Sequence, residues 1–534
     1  MQGLMQDWPL TVNRFLEHAA RWHGTREIVS RRDDDRFDRI TYRESERNAR
    51  RLSNALLAWG VKPGERIATL AMNSTEHFEA WYAVSGIGAV CHTLNPRLAI
   101  EQLGYIVQHA EDRLLFADGA FAPLVGALLA SHPGIAEVVF LSPPVGAPAL
   151  PVPHALIEPF RAGHAAECDW GAVAETSAAG LCYTSGTTGN PKGVLYSHRS
   201  NFLHTMMLLQ ADGFGITARD VVMPVVPMYH ANAWGTVFAA PAAGAGLVLP
   251  GAKLDGASVH DTIERTGVTV AAGVPSVWMA LLEHVANRGL RFSTLRRVLI
   301  GGAACPERMI RQFAALGIET IHAWGMTEMS PVGTLGAPTA RIAALPFEEQ
   351  LPMLIKQGRP PCGVDMKLTD GDGGVVAHDG QSVGHLWVRG PAIVARYFGD
   401  TRPLTDAEGF FDTGDIASID SEGFMYIVDR AKDVIKSGGE WISSQAIENA
   451  ALLHPTVAAA SVIGVSHAKW GERPLLLVVL KPDAASESAP PLLDFLRERL
   501  LKWHVPDEIK ILPELPLGAT GKIDKRRLRM LHGR

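Results

Sequence analysis

Cysteine is scarce and unpatterned. The five residues, Cys91, Cys168, Cys182, Cys305 and Cys362, form no CxxC pair and no Cys/His spacing suited to zinc. An odd, scattered set excludes a disulfide framework and reads as a reduced, intracellular chain. A basic excess is also missing: 50 Lys and Arg stand against 56 Asp and Glu, a net charge of -6, so no surface for nucleic-acid phosphates is expected. Long apolar runs are lacking. The longest, residues 234–249, is rich in Ala and Gly and broken by Pro241, too short to span a bilayer. The first ten residues carry Asp7 and no apolar core, so no signal peptide is read there. These absences point to a cytoplasmic protein with small-molecule partners and no transmembrane segment.

What is present is enough for a large core. With 534 residues, 47% of them hydrophobic and 20% charged, the chain has an ordinary globular composition and a length prior of about three domains. Helices are expected over residues 10–21, 41–59 and 74–86, the second opened by a Thr41/Glu44 capping box and closed by Gly60. Strands are expected at 66–71, 89–93, 178–182, 221–227, 268–272, 297–300 and 319–323. This alternation implies parallel sheets covered on both faces. Residues 141–153 are proline-rich and read as a surface loop. From about Gly363 the pattern shifts to short segments with turn signals such as Asp370-Gly371-Asp372-Gly373, the mark of hairpins. After Asp429 follow a hairpin around residues 437–439, a helix from Ser444, strands at 459–465 and 475–480, a helix at 490–502, and a last strand and helix.

The densest chemical signal is residues 180–194, GLCYTSGTTGNPKGV. Thr184, Ser185, Gly186, Thr187, Thr188, Gly189 and Lys192 combine backbone freedom, hydroxyls and one ammonium directly after an apolar strand. Glycine lets N–H groups converge on an anion, hydroxyls add donors and lysine adds charge. A Gly/Ser/Thr run is ordinarily only a solvated loop, but here the order is specific. It is not a Walker P-loop, which needs Gly-Lys followed by Ser or Thr; Lys192 stands between Pro191 and Gly193.

That order resembles the AMP-binding signature of the acyl-adenylate-forming superfamily, which contains acyl-CoA synthetases, peptide-synthetase adenylation domains and beetle luciferases. The resemblance runs from about residue 10 to 530 and its wording is closest to medium- and long-chain fatty-acid and methylmercaptopropionate CoA ligases. It implies an α/β fold: a large N-terminal domain, 1–429, of covered, mostly parallel sheets with a small β-barrel-like subdomain at about 363–429. A small mobile α+β C-terminal domain, 430–534, would carry the catalytic lysine.

The resemblance also assigns roles. Gly302, Ala303 and Ala304 would lie along the adenine and acyl chain. His322, Ala323, Trp324, Gly325, Met326 and Thr327 would hold the nucleotide, with Trp324 stacking on adenine. The family usually has tyrosine at this position, and glutamine and glycine are frequent at 322 and 323; stacking survives the change but a phenol hydrogen bond does not. Glu328 and Thr184 would hold Mg²⁺. Asp415, in Asp412-Thr413-Gly414-Asp415, would accept from the ribose hydroxyls, with Arg430 beside the ribose or phosphate and Lys432 as the hinge. Ser437, Gly438, Gly439 and Glu440 would line the thiol tunnel, with Lys436 and Trp441 beside them as further cofactor-binding residues. His230, Trp234, Gly301, Gly302 and Pro331 would form the acid pocket, and Lys522, in Pro516 to Asp524, would be catalytic.

The implied activity has two halves: a carboxylic acid and Mg-ATP give an acyl-adenylate and pyrophosphate, and coenzyme A then gives the thioester and AMP. Three alternatives remain open at this point: an adenylation enzyme loading a carrier protein, a non-catalytic nucleotide sensor, and luciferase-like oxidation. A homodimer is a further expectation.

Overall fold

The computed structural model describes residues 1, 3–144, 146, 150–184, 190–438, 440–481, 484, 489–517 and 523–533, with backbone alone at 440, 489 and 490. Local signals account for its first elements. Thr41 and Glu44 cap each other, the Glu44 N–H donating to Thr41 Oγ1 at 3.3 Å and the Thr41 N–H to Glu44 Oε2 at 2.9 Å. The helix Tyr42–Trp59 therefore starts where its unpaired N–H groups first find side-chain partners, and Gly60, left-handed at φ 102°, ends it.

Four sheets follow. The first has seven strands in the order His154–Leu156, Glu137–Phe140, Leu114–Ala117, Arg66–Leu70, Val90–Thr93, Ala178–Thr184 and Lys192–Ser197, parallel except for the last. The second has eight, with a parallel centre of Glu319–Gly325, Arg297–Ile300, Val270–Gly273, Val221–Pro224, Gly246–Leu249 and Glu27–Arg31, and antiparallel edge strands Val332–Leu335 and Phe37–Thr41. Helix Thr75–Gly86 and the segment Thr236–Ala243 fill the space between these layers; Trp81 and Phe238 meet there at 4.8 Å, both buried. The third sheet, Asp365–Thr369, Gly384–Arg389, Phe411–Ile419 and Met425–Arg430, is antiparallel in chain order. The fourth contains Ile435–Ser437, Glu440–Ile442, Val457–His467, Gly471–Leu480 and Glu508–Ile511, covered by helix Ser444–Leu452.

Three differences from the sequence reading have physical causes. The hairpin of Glu27–Arg31 with Phe37–Thr41 escapes notice because charged Asp38 and Arg39 on its exposed strand break the alternation. The strand read over residues 221–227 ends at Pro224, and the N–H groups of Val225 and Val226 both turn to Ala272 O. The helix read over 490–502 stops at Arg497. No helix among the described residues is long and apolar enough to cross a membrane.

Thr41→Ala is expected to lower stability by about 1 kcal/mol and Thr41→Ser to preserve it; thermal unfolding of the two variants beside the parent checks this.

Candidate active site

The second and third sheets meet at one carboxylate. Trp324, near the end of strand Glu319–Gly325, donates its indole N–H to Asp415 Oδ2 at 3.0 Å. Arg430 Nε lies 2.9 Å from Asp415 Oδ1, and the same guanidinium donates to Thr413 O at 3.1 Å. Asp415 is only 2% exposed, and a buried carboxylate without such donors would be costly. The tryptophan at 324 thus does more than present a ring: indole is a donor only, and it spends that donor on the ribose candidate.

The segment read as phosphate-binding is flanked by two antiparallel strands. Thr184 ends one strand and faces Lys192, the first residue of the next. Ser185, Gly186, Thr187, Thr188 and Gly189 lie outside the described residues. The Lys192 ammonium stands 4.8 Å from the centre of the Tyr397 ring, and the Tyr397 hydroxyl donates to Glu328 Oε1 at 2.8 Å. Tyr196 on the same hairpin donates to Thr327 O at 2.8 Å, and strand Ala178–Thr184 packs on the turn Thr327–Met329. Glu328 is 6% exposed. Burial pushes its carboxyl above the ordinary value of 4.5, against the Tyr397 hydrogen bond and the charges of Arg430 and Lys192. A desolvated carboxylate of this kind suits a dication, and Mg²⁺ asks for only one or two protein ligands. No cluster of three or more metal-type ligands occurs among the described residues.

The acid-pocket candidates lie on neighbouring elements. Gly301 and Gly302 follow strand Arg297–Ile300, and a Cβ on them would stand 3.2 and 3.8 Å from the Trp234 indole. Trp234 comes from an unusual turn in which Ala231, Asn232, Ala233 and Trp234 have φ of 47°, 54°, 50° and 56°. Left-handed backbone costs about 1–2 kcal/mol per non-glycine residue, so neighbours must hold it. Trp81 Nε1 donates to Asn232 Oδ1 at 3.3 Å, Thr236 Oγ1 donates to Ala233 O at 2.7 Å, and the His204 ring lies 3.1 Å from where a Gly235 Cβ would be. His230 caps this turn from outside with its N–H on Pro227 O. His322 is buried, its Nδ1 3.0 Å from Ile355 O and its Nε2 without a hydrogen-bond partner among the described residues; burial brings its pKa down to about 4. Ala323 follows it, buried, and Gly325 and Met326 lie against Pro331, whose carbonyl accepts the Met326 N–H at 2.9 Å. Ala303 is exposed and Ala304 half-buried.

The remaining candidates sit past Arg430. Lys432 is exposed, yet desolvation by its neighbours lowers its pKa, offset by Asp433. Asp429 Oδ2 accepts the Ser444 N–H at 2.7 Å, bridging the two sides of this segment. Lys436 faces Trp441 across a short hairpin, and Trp441 meets His385 edge-on at 5.9 Å. Ser437 is buried, 3.5 Å from Arg473, and Gly438 lies against Trp470 and Trp503. Gly439 and Lys522, and the Glu440 side chain, lie outside the described residues. After residue 522, Lys525 pairs with Glu448 at 2.8 Å and Arg529 with Asp433 at 2.5 Å.

Three contributors carry no signal in the sequence reading. Tyr397, Tyr196 and His204, whose Nε2 accepts the Val332 N–H at 3.0 Å, act across 69, 131 and 128 residues respectively. No local spacing marks such contacts.

Comparisons with known proteins agree with this geometry. The family model described as AMP-binding enzyme matches residues 15–398, and that of the AMP-binding enzyme C-terminal domain matches 446–522. The chain is 48% identical to 3-methylmercaptopropionyl-CoA ligase of Ruegeria lacuscaerulensis over 99% of its length and 98% of the relative's. It is 45% identical to medium-chain-fatty-acid–CoA ligase of Ectopseudomonas oleovorans over 100% and 98% of the two chains. Among solved structures, O-succinylbenzoate coenzyme A synthetase of Bacillus subtilis in complex with ATP and magnesium ion superposes with a TM-score of 0.78 at 25% identity, covering 96% of this chain and 99% of that one.

The raised pKa of Glu328 gives a prediction with a definite sign. A carboxyl whose folded pKa lies above its unfolded one contributes stability below the unfolded value, and this is lost as pH rises through the folded pKa. Glu328→Gln should therefore unfold at or above the parent's temperature at neutral pH while losing roughly 10²-fold or more of ATP-dependent activity. In the parent, the Mg²⁺ requirement should rise on acidification, beginning above pH 4.5; metal titrations across pH check it.

Proposed function

Because the chain belongs to the AMP-binding enzyme family, we propose that its site converts a fatty or thioether-type carboxylic acid, with ATP, to an acyl-adenylate and pyrophosphate, and then to acyl-CoA and AMP. The chain is an AMP-forming acid–thiol ligase. The observation that carries the finer reading is the convergence of Trp324, Asp415 and Arg430 beside Glu328 and the phosphate hairpin.

In the proposed first half-reaction no general base is needed, since a carboxylic acid of pKa about 4–5 is ionised at neutral pH. The task is alignment and positive potential at a crowded anionic phosphorus. Trp324 stacks on adenine while its N–H fixes Asp415, which accepts from the ribose hydroxyls. Arg430 holds Asp415 and adds charge near the phosphate. Lys192, Thr184 and residues 185–189 hold the outer phosphates, and the Lys522 ammonium approaches the α-phosphate. Mg²⁺, when bound by Glu328 with Thr184, neutralises triphosphate charge. Trp234 over Gly301 and Gly302, with His230 and Pro331, walls the acid.

The second half-reaction needs the same centre open to a thiol. Rotation of residues 430–534 about Lys432 would withdraw Lys522 and bring residues 436–441 to the site, a domain closure used as a switch. The Asp429–Ser444 hydrogen bond, which spans Lys432, supports a hinge there with a definite resting state. The substrate class is supported by the names of the relatives, and a cytoplasmic location by their kind; a homodimer is no part of this reading.

Two results are expected. A panel of straight-chain acids from C2 to C16 with aromatic and thioether acids, assayed for AMP release with coenzyme A, should give turnover concentrated on medium-chain and thioether acids; no AMP from any acid would favour the nucleotide-sensor alternative. Lys522→Ala should lose adenylation by roughly 10²- to 10³-fold yet still convert a supplied acyl-adenylate to thioester, and equal loss in both halves would remove the rotation.

A further inference from the structure

The segment that carries Trp234 continues a strand of the eight-stranded sheet, yet side chains of the seven-stranded layer grip it. Strand Val221–Pro224 ends at Pro224, and residues 225–235 then run to the left-handed turn. Asn73 meets them from the other sheet. It follows strand Arg66–Leu70, stands two residues before helix Thr75–Gly86, and is 2% exposed. Its Nδ2 donates to Pro224 O at 3.0 Å and to Val226 O at 2.9 Å, and its Oδ1 accepts the Met228 N–H at 2.6 Å. Both amide hydrogens and the carbonyl oxygen are therefore committed. Aspartate in the same place would set a carboxylate against two carbonyl oxygens.

Thr93 continues the grip. It is the buried last residue of strand Val90–Thr93, and its hydroxyl donates to Tyr229 O at 3.3 Å. The same oxygen lies 3.0 Å from Cys182 Sγ, directly across the ladder on strand Ala178–Thr184. A hydroxyl has one hydrogen to give; with that hydrogen on Tyr229 O, the oxygen accepts from the Cys182 thiol. One side chain thus touches both the residue before His230 and the strand that reaches Thr184 two residues later. Trp81, from helix Thr75–Gly86, holds Asn232 inside the turn itself.

We propose that Asn73 and Thr93 are positioning residues for the carboxylic acid: they fix residues 224–229 against the strand that ends at Thr184, and so set the wall bearing Trp234 relative to the nucleotide. The inference rests on the ligase reading above. Both residues act through the backbone they hold rather than on a reactant. Beyond Val226, whose N–H still reaches Ala272 O, the segment has left its own sheet, and it leads into four successive left-handed non-glycine residues. Such a path needs outside support to persist. An acid and a phosphorus held by different sheets also need close alignment, since a misplacement of about 1 Å can cost roughly 10²-fold in rate.

The test uses the full-length enzyme, steady-state kinetics with acid and ATP varied in turn, and thermal unfolding of each variant. Thr93→Val keeps the shape and removes the hydroxyl; kcat/KM for the acid should fall roughly ten-fold or more, chiefly in kcat, while the KM for ATP stays within two-fold. Thr93→Ser, which restores the hydroxyl, should recover the acid's kcat/KM to within about three-fold of the parent. Asn73→Asp should act in the same direction as Thr93→Val, and the Thr93 pair decides the matter if that variant does not fold. A lowered unfolding temperature with unchanged kinetic constants in Thr93→Val, an equal rise in the KM of acid and ATP, or no recovery in Thr93→Ser would overturn the positioning role. Failure of the parent protein to form AMP from any acid would instead overturn the ligase reading.

Discussion

A single buried carboxylate joins the parts of this molecule that chemistry requires to meet. Asp415 takes the Trp324 indole N–H on one oxygen and the Arg430 guanidinium on the other. Trp324 comes from the eight-stranded sheet, and Asp415 and Arg430 face each other on neighbouring strands of the four-stranded sheet, Arg430 at the end that leads on to the fourth sheet. At 2% exposure an unpartnered charge would be expensive, so the contacts are obligatory and fix the relative placement of two sheets. A ligand that hydrogen-bonds Asp415 is thereby referenced to Trp324 and Arg430 together.

The rest of the site is built from groups that folding alone would not choose. Glu328 is desolvated enough to raise its pKa. The turn bearing Trp234 runs through four consecutive left-handed non-glycine residues. His322 keeps a buried ring nitrogen without a hydrogen-bond partner among the described residues. Each is a local cost repaid by the large apolar layer between the first two sheets, where Trp81, Tyr82, Phe78 and Phe238 are almost wholly buried. Strain and desolvation concentrated in one crevice, on a scaffold able to bear them, are the physical mark of a functional site.

Much of the fold was legible. The alternation of residues 66–93 reads directly as strand, helix, strand because both faces of that sheet are covered and its strands are almost continuously buried. The hairpin Glu27–Thr41 did not read, since its outer strand is charged on an exposed edge. In the site, residues 180–194, 412–415 and 429–442 are visible as contiguous words, whereas Tyr397 and His204 are not, because their partners lie far along the chain and only packing brings them together. Trp324 was half legible: its ring signals stacking, but nothing local reveals that its N–H is committed to Asp415.

The central claim is that the acid's own oxygen attacks the innermost phosphorus of ATP. Turnover with a carboxylic acid carrying ¹⁸O in both carboxyl positions, followed by mass spectrometry of the nucleotide product, tests it most directly. The account predicts AMP carrying one ¹⁸O atom and pyrophosphate carrying none. Label in inorganic phosphate beside ADP, or AMP free of label, would contradict it.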